Sequence, residues 1–341
     1  MNMAVNAAWL AESFDLPDIA LRAGISALVG RTSRSLATAT QEELEKFASW
    51  MARQPVASDT QEANRQHYEV PAAFFDQVLG PQRKYSCCYF ETAEDTLAQA
   101  EENALRKTAQ NADLADGQTI LELGCGWGSL TLWMARHFPS AHITAVSNSH
   151  SQRASIMERA QMQGLSNVQV ITADMNAFST PARYDRIVSV EMFEHMRNWP
   201  ALLERIHGWL NPQGYLFMHV FTHDKAAYAF DTSDPADWIA QHFFTGGVMP
   251  AHGLPRMFDQ HFSIEQDWRW SGQHYERTAN LWLENFDSRL YEIMPVLKSV
   301  YGDEAQIWKR RWRLFFLATA GLFGYAKGAQ WGVSHFRFAP K

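Results

Sequence analysis

A glycine-rich run between an apolar segment and a helical segment constrains the fold more than any other feature. The run LELGCGWGSL, residues 121–130, places Gly124, Gly126 and Gly128 directly after apolar residues that end at Leu123. Glycines in such a turn let the backbone approach a ligand closely, and a helix that begins there offers free N–H donors to a carboxylate or phosphate. The run therefore predicts a strand, a tight turn and a helix around a ligand site.

Short apolar runs alternate with helical segments on the carboxyl side of this turn. Such alternation predicts a parallel sheet with crossover helices, and hence a Rossmann-like α/β fold. Two later strands should pair at the edge of the sheet. The predicted strands are 119–123, 142–146, 168–172, 186–190, 215–220, 263–270 and 331–338, and the crossover helices are 129–137, 151–163 and 200–210.

Helical periodicity also precedes the sheet, from residue 7 to residue 53, with breaks expected at Pro17 and Gly24. A polar stretch over 55–65 follows, and Pro71 and Thr96 mark the starts of two further helices. We therefore predict an N-terminal helical cap over 1–66 and a Rossmann-like α/β domain over 67–341. Helical lid insertions are expected within that domain at about 222–259 and 280–324.

Composition excludes several functional classes. A formal charge of −7 and a pI near 6.0 argue against nucleic acid or anionic lipid as a partner. Three cysteines cannot form a disulfide framework, the N-terminus lacks a basic targeting region, and the longest apolar run, within 314–323, is too short to span a bilayer. These observations predict a cytoplasmic protein without an integral membrane segment, of undetermined oligomeric state.

The residues after the second and third strands indicate which cofactor the turn holds. Dinucleotide-binding folds usually carry an acidic residue after the second strand, whereas this chain has Asn148 within SNS, which argues against NAD. Gln152 is placed to bind the ribose, and Asp174 and Met175 to meet the adenine, although Asp174 could equally be a loop or capping residue. With Glu122 before the glycines, the run resembles motif I of class I methyltransferases, which implies S-adenosylmethionine.

The reactive groups are expected in EMFEHM, directly after the fourth strand. Carboxyl ends of parallel strands are where α/β folds place ligands, and Glu191, Glu194 and His195 at i, i+3 and i+4 could share one side of a turn. Carboxylates attract a substrate ammonium, and a carboxylate or imidazole can remove the proton that precedes methylation. The structural alternative is a capping acid followed by a core histidine.

Six segments together resemble the cyclopropane fatty acid synthase family of S-adenosylmethionine-dependent methyltransferases: HYEVPAAFF, KYSCCYF, LELGCGWG, SNSHSQ, EMFEHM and SGQHY. The likeness covers nearly the whole chain. LPDIALRAGI and LFGYAKGAQWGVSHFRF further resemble the family's coclaurine-type N-methyltransferase branch. The resemblance implies that Tyr68, Tyr85 and Ser86 close over the methionine end of the cofactor.

Glu191 distinguishes the branches of this family. Cyclopropane synthases carry glycine at the matching place, in VGMFEH, whereas the N-methyltransferases resemble this chain in carrying glutamate. A buried anion suits a cationic substrate and is costly beside an uncharged lipid alkene. The residue therefore favours a small, partly aromatic amine as methyl acceptor, in a pocket with Phe221, Tyr275, Tyr325 and Trp331.

Two alternatives stay open. In the lipid-modifying synthases a cysteine, a glutamate, a histidine and a tyrosine bind bicarbonate as the base; the resemblance matches them to Cys87, Glu194, His219 and Tyr275, so methylation or cyclopropanation of acyl chains is an alternative. A non-catalytic protein that binds S-adenosylmethionine is another, although it would not need the acidic cluster. No metal site is predicted, because the histidines and cysteines lack ligand spacings such as C-x-x-C or H-E-x-x-H.

Overall fold

A seven-stranded sheet forms the centre of the fold in the computed structural model, which describes residues 3–58, 70–234 and 237–341. The strands are β1 (Thr119–Leu123), β2 (His142–Ser147), β3 (Val168–Thr172), β4 (Tyr184–Val190), β5 (Leu210–His223), β8 (Phe262–Ser271) and β9 (Trp331–Pro340). Their spatial order is β3-β2-β1-β4-β5-β9-β8. Strands β1 to β5 pair in parallel, and β9 lies antiparallel between β5 and β8. This arrangement confirms the predicted Rossmann-like α/β fold and the pairing of the last two strands.

Local sequence determines where the crossover helices begin. The helix after β1 starts behind Gly128, whose left-handed φ of 78° turns the chain. Ser149 caps the next helix by accepting a hydrogen bond from the Gln152 backbone N–H, and Asn198 caps the third. These helices are α6 (Ser129–His137), α7 (His150–Met162) and α8 (Trp199–Trp209).

Helices also fill the amino-terminal third: α1 (Met3–Ser13), α2 (Asp18–Leu36), α3 (Gln41–Met51), α4 (Ala72–Val78) and α5 (Leu97–Asn111). The break at Pro17 is confirmed, and a capping box at Thr96 starts α5. The break expected at Gly24 is wrong. Gly24 lies inside α2, because the cost of an exposed helical glycine is only about 1 kcal/mol and burial of Ile25 and Val29 holds the helix together.

The lid insertions contain a small ribbon, β6 (Tyr228–Ala229) with β7 (Val248–Met249), and the short helix α9 (Trp238–His242). Three longer helices follow β8: α10 (Gly272–Ser288), α11 (Leu290–Tyr301) and α12 (Ala305–Gly324). Aromatic side chains from both insertions reach the carboxyl edge of the sheet. Among the residues that the structure describes, no helix combines the length and apolar character needed to cross a membrane.

Candidate active site

Two adjoining cavities lie at the carboxyl ends of β1 to β4. The first extends toward the lid aromatics, and the second extends toward the ends of β2 and β3. Both are lined by Gly124, Gly126, Gln152, Glu191 and His195. The glycine-rich turn and the EMFEHM segment therefore meet at one place, as a cofactor next to an acceptor requires.

The three glycines of the turn have different roles. All three have positive φ: 78° at Gly124, 50° at Gly126 and 78° at Gly128. A Cβ at Gly124 would collide with Met192, and one at Gly128 with Ile156, which explains those glycines by packing. A Cβ at Gly126 would meet no atom within 4 Å and would project into the cavity, so Gly126 is the glycine that leaves room for a ligand.

The second cavity, near the ends of β2 and β3, carries the residues predicted from those strands. Gln152 is buried, and its Oε1 accepts a hydrogen bond of 2.7 Å from Ser147 Oγ. Its Nε2 has no hydrogen-bond partner among the described residues, so a donor is available to a bound hydroxyl. Asn148, Asp174 and Met175 line the same cavity. The arrangement suits a ribose and an adenine ring.

The KYSCCYF loop forms the opposite wall. Tyr85 and Ser86 line the first cavity, whereas Tyr68 lies outside the described residues. Sequence reasoning missed Lys84, a buried cation in the same wall. Its ammonium donates to Ser86 Oγ and, at 2.7 Å, to the Cys87 carbonyl oxygen, so it orders the loop.

Glu191 directly follows β4 and adopts a left-handed backbone conformation with φ of 48°. Its backbone N–H donates a 2.8 Å hydrogen bond to the His219 carbonyl oxygen. This conformation is easy for glycine and costs a residue with a Cβ on the order of 1–2 kcal/mol. Backbone strain of this kind concentrates at functional sites.

Three donors surround the Glu191 carboxylate. Oε1 accepts from the Cys87 backbone N–H at 2.9 Å and from His219 Nε2 at 3.1 Å, and Oε2 accepts from the Tyr275 hydroxyl at 2.7 Å. Burial raises the pKa of Glu191, whereas the Lys84 ammonium and the hydrogen bonds from Cys87 and Tyr275 oppose the rise. The donors therefore stabilise a carboxylate at the cavity wall.

His195 lines both cavities beside Glu191 and stacks on Phe244, with ring centroids 4.7 Å apart. Burial lowers the pKa of this histidine to about 4, although the charge of Glu191 opposes the change. The imidazole is therefore neutral near pH 7 and able to accept a proton.

Glu194 is not part of the cavity lining, contrary to the shared face that the spacing suggested. The side chain is completely buried, and its Oε1 accepts a 2.6 Å hydrogen bond from the Phe221 backbone N–H. The left-handed Glu191 and the 3₁₀ turn Phe193–His195 interrupt helical geometry, so the i, i+3 and i+4 rule does not apply. Burial, and then the charge of Glu191, raise the pKa of Glu194 well above its usual range, which favours the neutral acid.

The remaining predicted pocket residues divide into two groups. Phe221 and Tyr275 line the first cavity, and Cys87 and His219 contact Glu191 from behind it. The expectation that Tyr325 and Trp331 line the pocket is corrected. Trp331 is buried at the start of β9, where its Nε1 donates to Tyr228 Oη at 3.3 Å, and Tyr325 faces Gly30 of α2.

Four further aromatic side chains complete the first cavity: Trp127 of the glycine-rich turn, and Trp282, Phe315 and Phe244. Phe244 and Phe315 belong to the two predicted lid insertions, but periodicity alone did not separate them from the other apolar residues there. Their position in the lid gives the cavity an apolar, aromatic wall opposite the Glu191 carboxylate.

Comparisons with known proteins show what the chain as a whole is similar to. The family model described as mycolic acid cyclopropane synthetase matches residues 57–329. The chain is 34% identical over 335 residues to (S)-coclaurine N-methyltransferase of Thalictrum flavum subsp. glaucum, covering 96% of this chain and 93% of the relative. It is 29% identical to the cyclopropane-fatty-acyl-phospholipid synthase of Escherichia coli K12 over 262 residues, which cover 76% of this chain and 63% of the synthase.

A similar solved structure is the crystal structure of coclaurine N-methyltransferase bound to N-methylheliamine and SAH. It has a TM-score of 0.95 and 32% sequence identity, and the match covers 99% of both chains. The cyclopropane synthase MmaA2 from Mycobacterium tuberculosis has the same fold, with a TM-score of 0.70 and 22% identity over 84% of this chain and 100% of the synthase.

Proposed function

The chain belongs to the mycolic acid cyclopropane synthetase family, and we propose that it transfers a methyl group from S-adenosylmethionine to the nitrogen of a small, partly aromatic amine. The observation that carries this proposal is the Glu191 carboxylate, held by three donors at the cavity wall. Relatives named as N-methyltransferases, among them pavine N-methyltransferase at 31% identity over 303 residues, support the same acceptor class.

The cofactor site fits S-adenosylmethionine. Gly126 leaves open space where any larger residue would place a Cβ. Three buried donors along the lining have no partner among the described residues: Gln152 Nε2, Ser129 Oγ and Trp127 Nε1. Buried polar atoms of this kind are normally hydrogen-bonded, so they suit the ribose and amino acid groups of a polar ligand. When bound, the cofactor supplies an electrophilic methyl group on a sulfonium.

Different residues of the protein then bind the substrate and remove its proton. Glu191 attracts the substrate ammonium, and the aromatic faces of Phe221 and Phe244 accommodate both its rings and its charge. Neutral His195 removes the ammonium proton, and the negative charge of Glu191 stabilises the resulting imidazolium. With that proton removed, the nitrogen would be free to take the methyl group that a bound cofactor would supply, with the cofactor thioether as the leaving group. Holding both partners in line supplies much of the rate.

The contacts of Glu191 also affect whether the site can bind the bicarbonate that the resemblance allowed. Cys87, His219 and Tyr275, which match three of the bicarbonate residues, direct their donors at the Glu191 carboxylate instead. A second anion there would lack these donors and would repel Glu191. We therefore propose that the carboxylate of Glu191 replaces bicarbonate, which disfavours the acyl-chain alternative.

Turnover with labelled cofactor tests the proposal directly. Purified protein should methylate secondary or tertiary benzylic amines and leave unsaturated phospholipid vesicles unmodified. Glu191→Gly relieves the backbone strain, so it should fold, yet it should lower amine turnover by roughly a hundredfold. Added bicarbonate or formate should restore part of that activity. Glu191→Gln is the matched control, because it fills the site and leaves no room for the added anion.

Three outcomes would count against the proposal. Modification of the phospholipid with no amine turnover would favour the lipid alternative, and cofactor binding without any turnover would favour the non-catalytic alternative. Unchanged amine activity in Glu191→Gly would remove the proposed role of the carboxylate.

A further inference from the structure

A second buried histidine lies behind the site. His335 of β9 is directly opposite His219 of β5 in the antiparallel pair. The two ring centroids are 4.5 Å apart, and both side chains are completely buried. Trp270 packs against both rings, at 4.2 Å from His335 and 5.4 Å from His219. The mechanism uses His219 only as a donor to Glu191, and it leaves His335 without a role.

Asn111, the last residue of α5, determines where the proton of His335 lies. Asn111 Nδ2 is 3.0 Å from His335 Nδ1. An amide nitrogen only donates, so His335 Nδ1 must accept. Burial lowers the pKa of both histidines well below the usual range, so both rings are neutral. A neutral imidazole carries one proton, and that of His335 is therefore on Nε2.

The two histidines have complementary unsatisfied atoms. His335 Nε2, a donor in this tautomer, has no hydrogen-bond partner among the described residues, and neither does His219 Nδ1. Leaving a buried donor and a buried acceptor unpaired is costly. With ring centroids 4.5 Å apart, each ring is the candidate partner for the unpaired nitrogen of the other. If His219 Nδ1 accepts, the His219 proton is on Nε2, which faces Glu191 Oε1 at 3.1 Å.

We propose that Asn111 and His335 are positioning residues, which fix the tautomer of His219 that donates to the Glu191 carboxylate. The donor direction then runs from Asn111 through His335 and His219 to Glu191. This inference rests on the proposed amine methylation, since it assigns Glu191 the task of facing a cation. Its effect is to keep the third donor on Glu191 in place throughout turnover.

Asn111→Asp reverses this direction without changing the size of the side chain. An aspartate accepts only, so His335 would carry its proton on Nδ1, accept at Nε2 and leave the His219 proton on Nδ1. The lone pair of His219 Nε2 would then face the Glu191 carboxylate. The other titratable or charged groups that face Glu191 are unchanged: Lys84, Cys87, Glu194, His195 and Tyr275.

Nitrogen-15 spectra of histidine-labelled protein, recorded without substrate, test the tautomers. We expect Nε2–H for both His219 and His335 in the wild type, and Nδ1–H for both in Asn111→Asp. His219→Phe and His335→Phe assign the signals. Gln110→Glu is the matched control, because it adds the same charge at the neighbouring exposed position of α5 and should leave both tautomers unchanged.

Kinetics test the consequence for the reaction. Asn111→Asp should lower kcat about tenfold and move the acidic limb of the pH–rate profile up by about one pH unit, with the KM for S-adenosylmethionine unchanged. If Asn111→Asp does not fold, His335→Phe removes the donor to His219 Nδ1 and should raise the Nδ1–H fraction of His219 above its wild-type value. An Nδ1–H tautomer of His219 in the wild type, or tautomers and a pH profile that Asn111→Asp leaves unchanged, would overturn the inference. Absence of amine turnover in the wild type would instead overturn the proposed function.

Discussion

Glu191 combines backbone strain with a buried negative charge, and both features have the same explanation. Its left-handed φ of 48° directs the side chain toward Cys87, His219 and Tyr275. The hydrogen bonds from those donors offset the free-energy cost of the strained backbone and of the buried carboxylate. Glu191 thus places a fixed carboxylate among these hydrogen-bond donors.

His195 and Glu194 should differ in their effect on turnover, although they are adjacent. His195→Asn removes the neutral base at the cavity and should lower kcat by roughly a hundredfold or more. Glu194→Gln keeps the carbonyl oxygen that accepts from the Phe221 N–H, so its loss should stay below about tenfold. Calorimetric titration should show unchanged cofactor affinity in both variants. Equal losses of kcat would show that Glu194 takes part in the chemistry as an ionised group.

Glu122 should make stability depend on pH in a predictable direction. Burial raises its pKa from 4.5 to about 8, partly opposed by the hydrogen bond from Thr131. Between these pH values the folded state holds a proton that the unfolded state has released. The contribution of Glu122 to the free energy of unfolding is therefore fully present below pH 4.5, is lost as the pH rises toward 8, and changes no further above pH 8. The loss is at most about 1.4 kcal/mol per pH unit.

Glu122→Gln should therefore gain stability relative to the wild type as pH rises through that window. Urea unfolding at several pH values between 5 and 9 measures the difference, and exposed Glu158→Gln is the control. A difference between Glu122→Gln and wild type that is the same at all pH values would contradict the raised pKa.

At the scale of elements, the backbone at the start of α10 packs closely against two other segments. A Cβ at Gly272 would lie 2.1 Å from the carbonyl oxygens of Phe323, in α12, and Trp331, in β9. The glycine in SGQHY therefore permits a close approach of three backbones. This approach fixes the first turn of α10, from which Tyr275 reaches Glu191.

Gly272 and Gly24 should respond to alanine in opposite directions. Gly272→Ala forces a backbone collision and should destabilise the fold by roughly 3 kcal/mol or more. Gly24 lies at an exposed position inside α2, where an added Cβ would meet no atom within 4 Å, so Gly24→Ala should stabilise by about 0.5–1 kcal/mol. Chemical denaturation measures both. Equal and small effects would show that the contact at Gly272 relaxes easily.

The whole molecule shares its hydrophobic cores between the cap and the sheet domain. Ile25 and Val29 of α2 belong to the same cluster as Trp312, and Met51 of α3 belongs to the cluster that contains Leu121 of β1. Glu12 of α1 forms an ion pair with Arg311 of α12. The division at residues 66 and 67 therefore stays a prediction about sequence organisation, because helices α1 to α3 of the cap have no separate core.

Unfolding should accordingly be one cooperative transition. Helical circular dichroism and tryptophan fluorescence should give the same midpoint, because Trp50 of the cap and Trp199 of the sheet domain share one cluster. S-adenosylhomocysteine at about one hundred times its Kd should stabilise the whole transition by about 2.7 kcal/mol. An early transition that involves the cap alone would show that the clusters contribute less coupling than their packing indicates.

Sequence periodicity predicted the architecture because it reports directly on each element. Alternation of apolar runs and helical segments placed β1 and β3 at their observed bounds and β2 within one residue. The glycine-rich turn and EMFEHM were correctly placed at the carboxyl edge, because all parallel strands end on one side of a sheet. Gly24 misled the prediction, since an isolated glycine weakens a helix without ending it.

Only the tertiary structure decided which side chains meet. Asn111 and His335 are 224 residues apart, and no periodicity relates α5 to β9. The donors to Glu191 come from a loop, β5 and α10, while Glu194 and Trp331 turn away from the cavity. The sequence by itself determined the elements and the edge where chemistry occurs, because these follow from local patterns. The orientation of each carboxylate and imidazole followed from packing between distant segments, which a local pattern does not record.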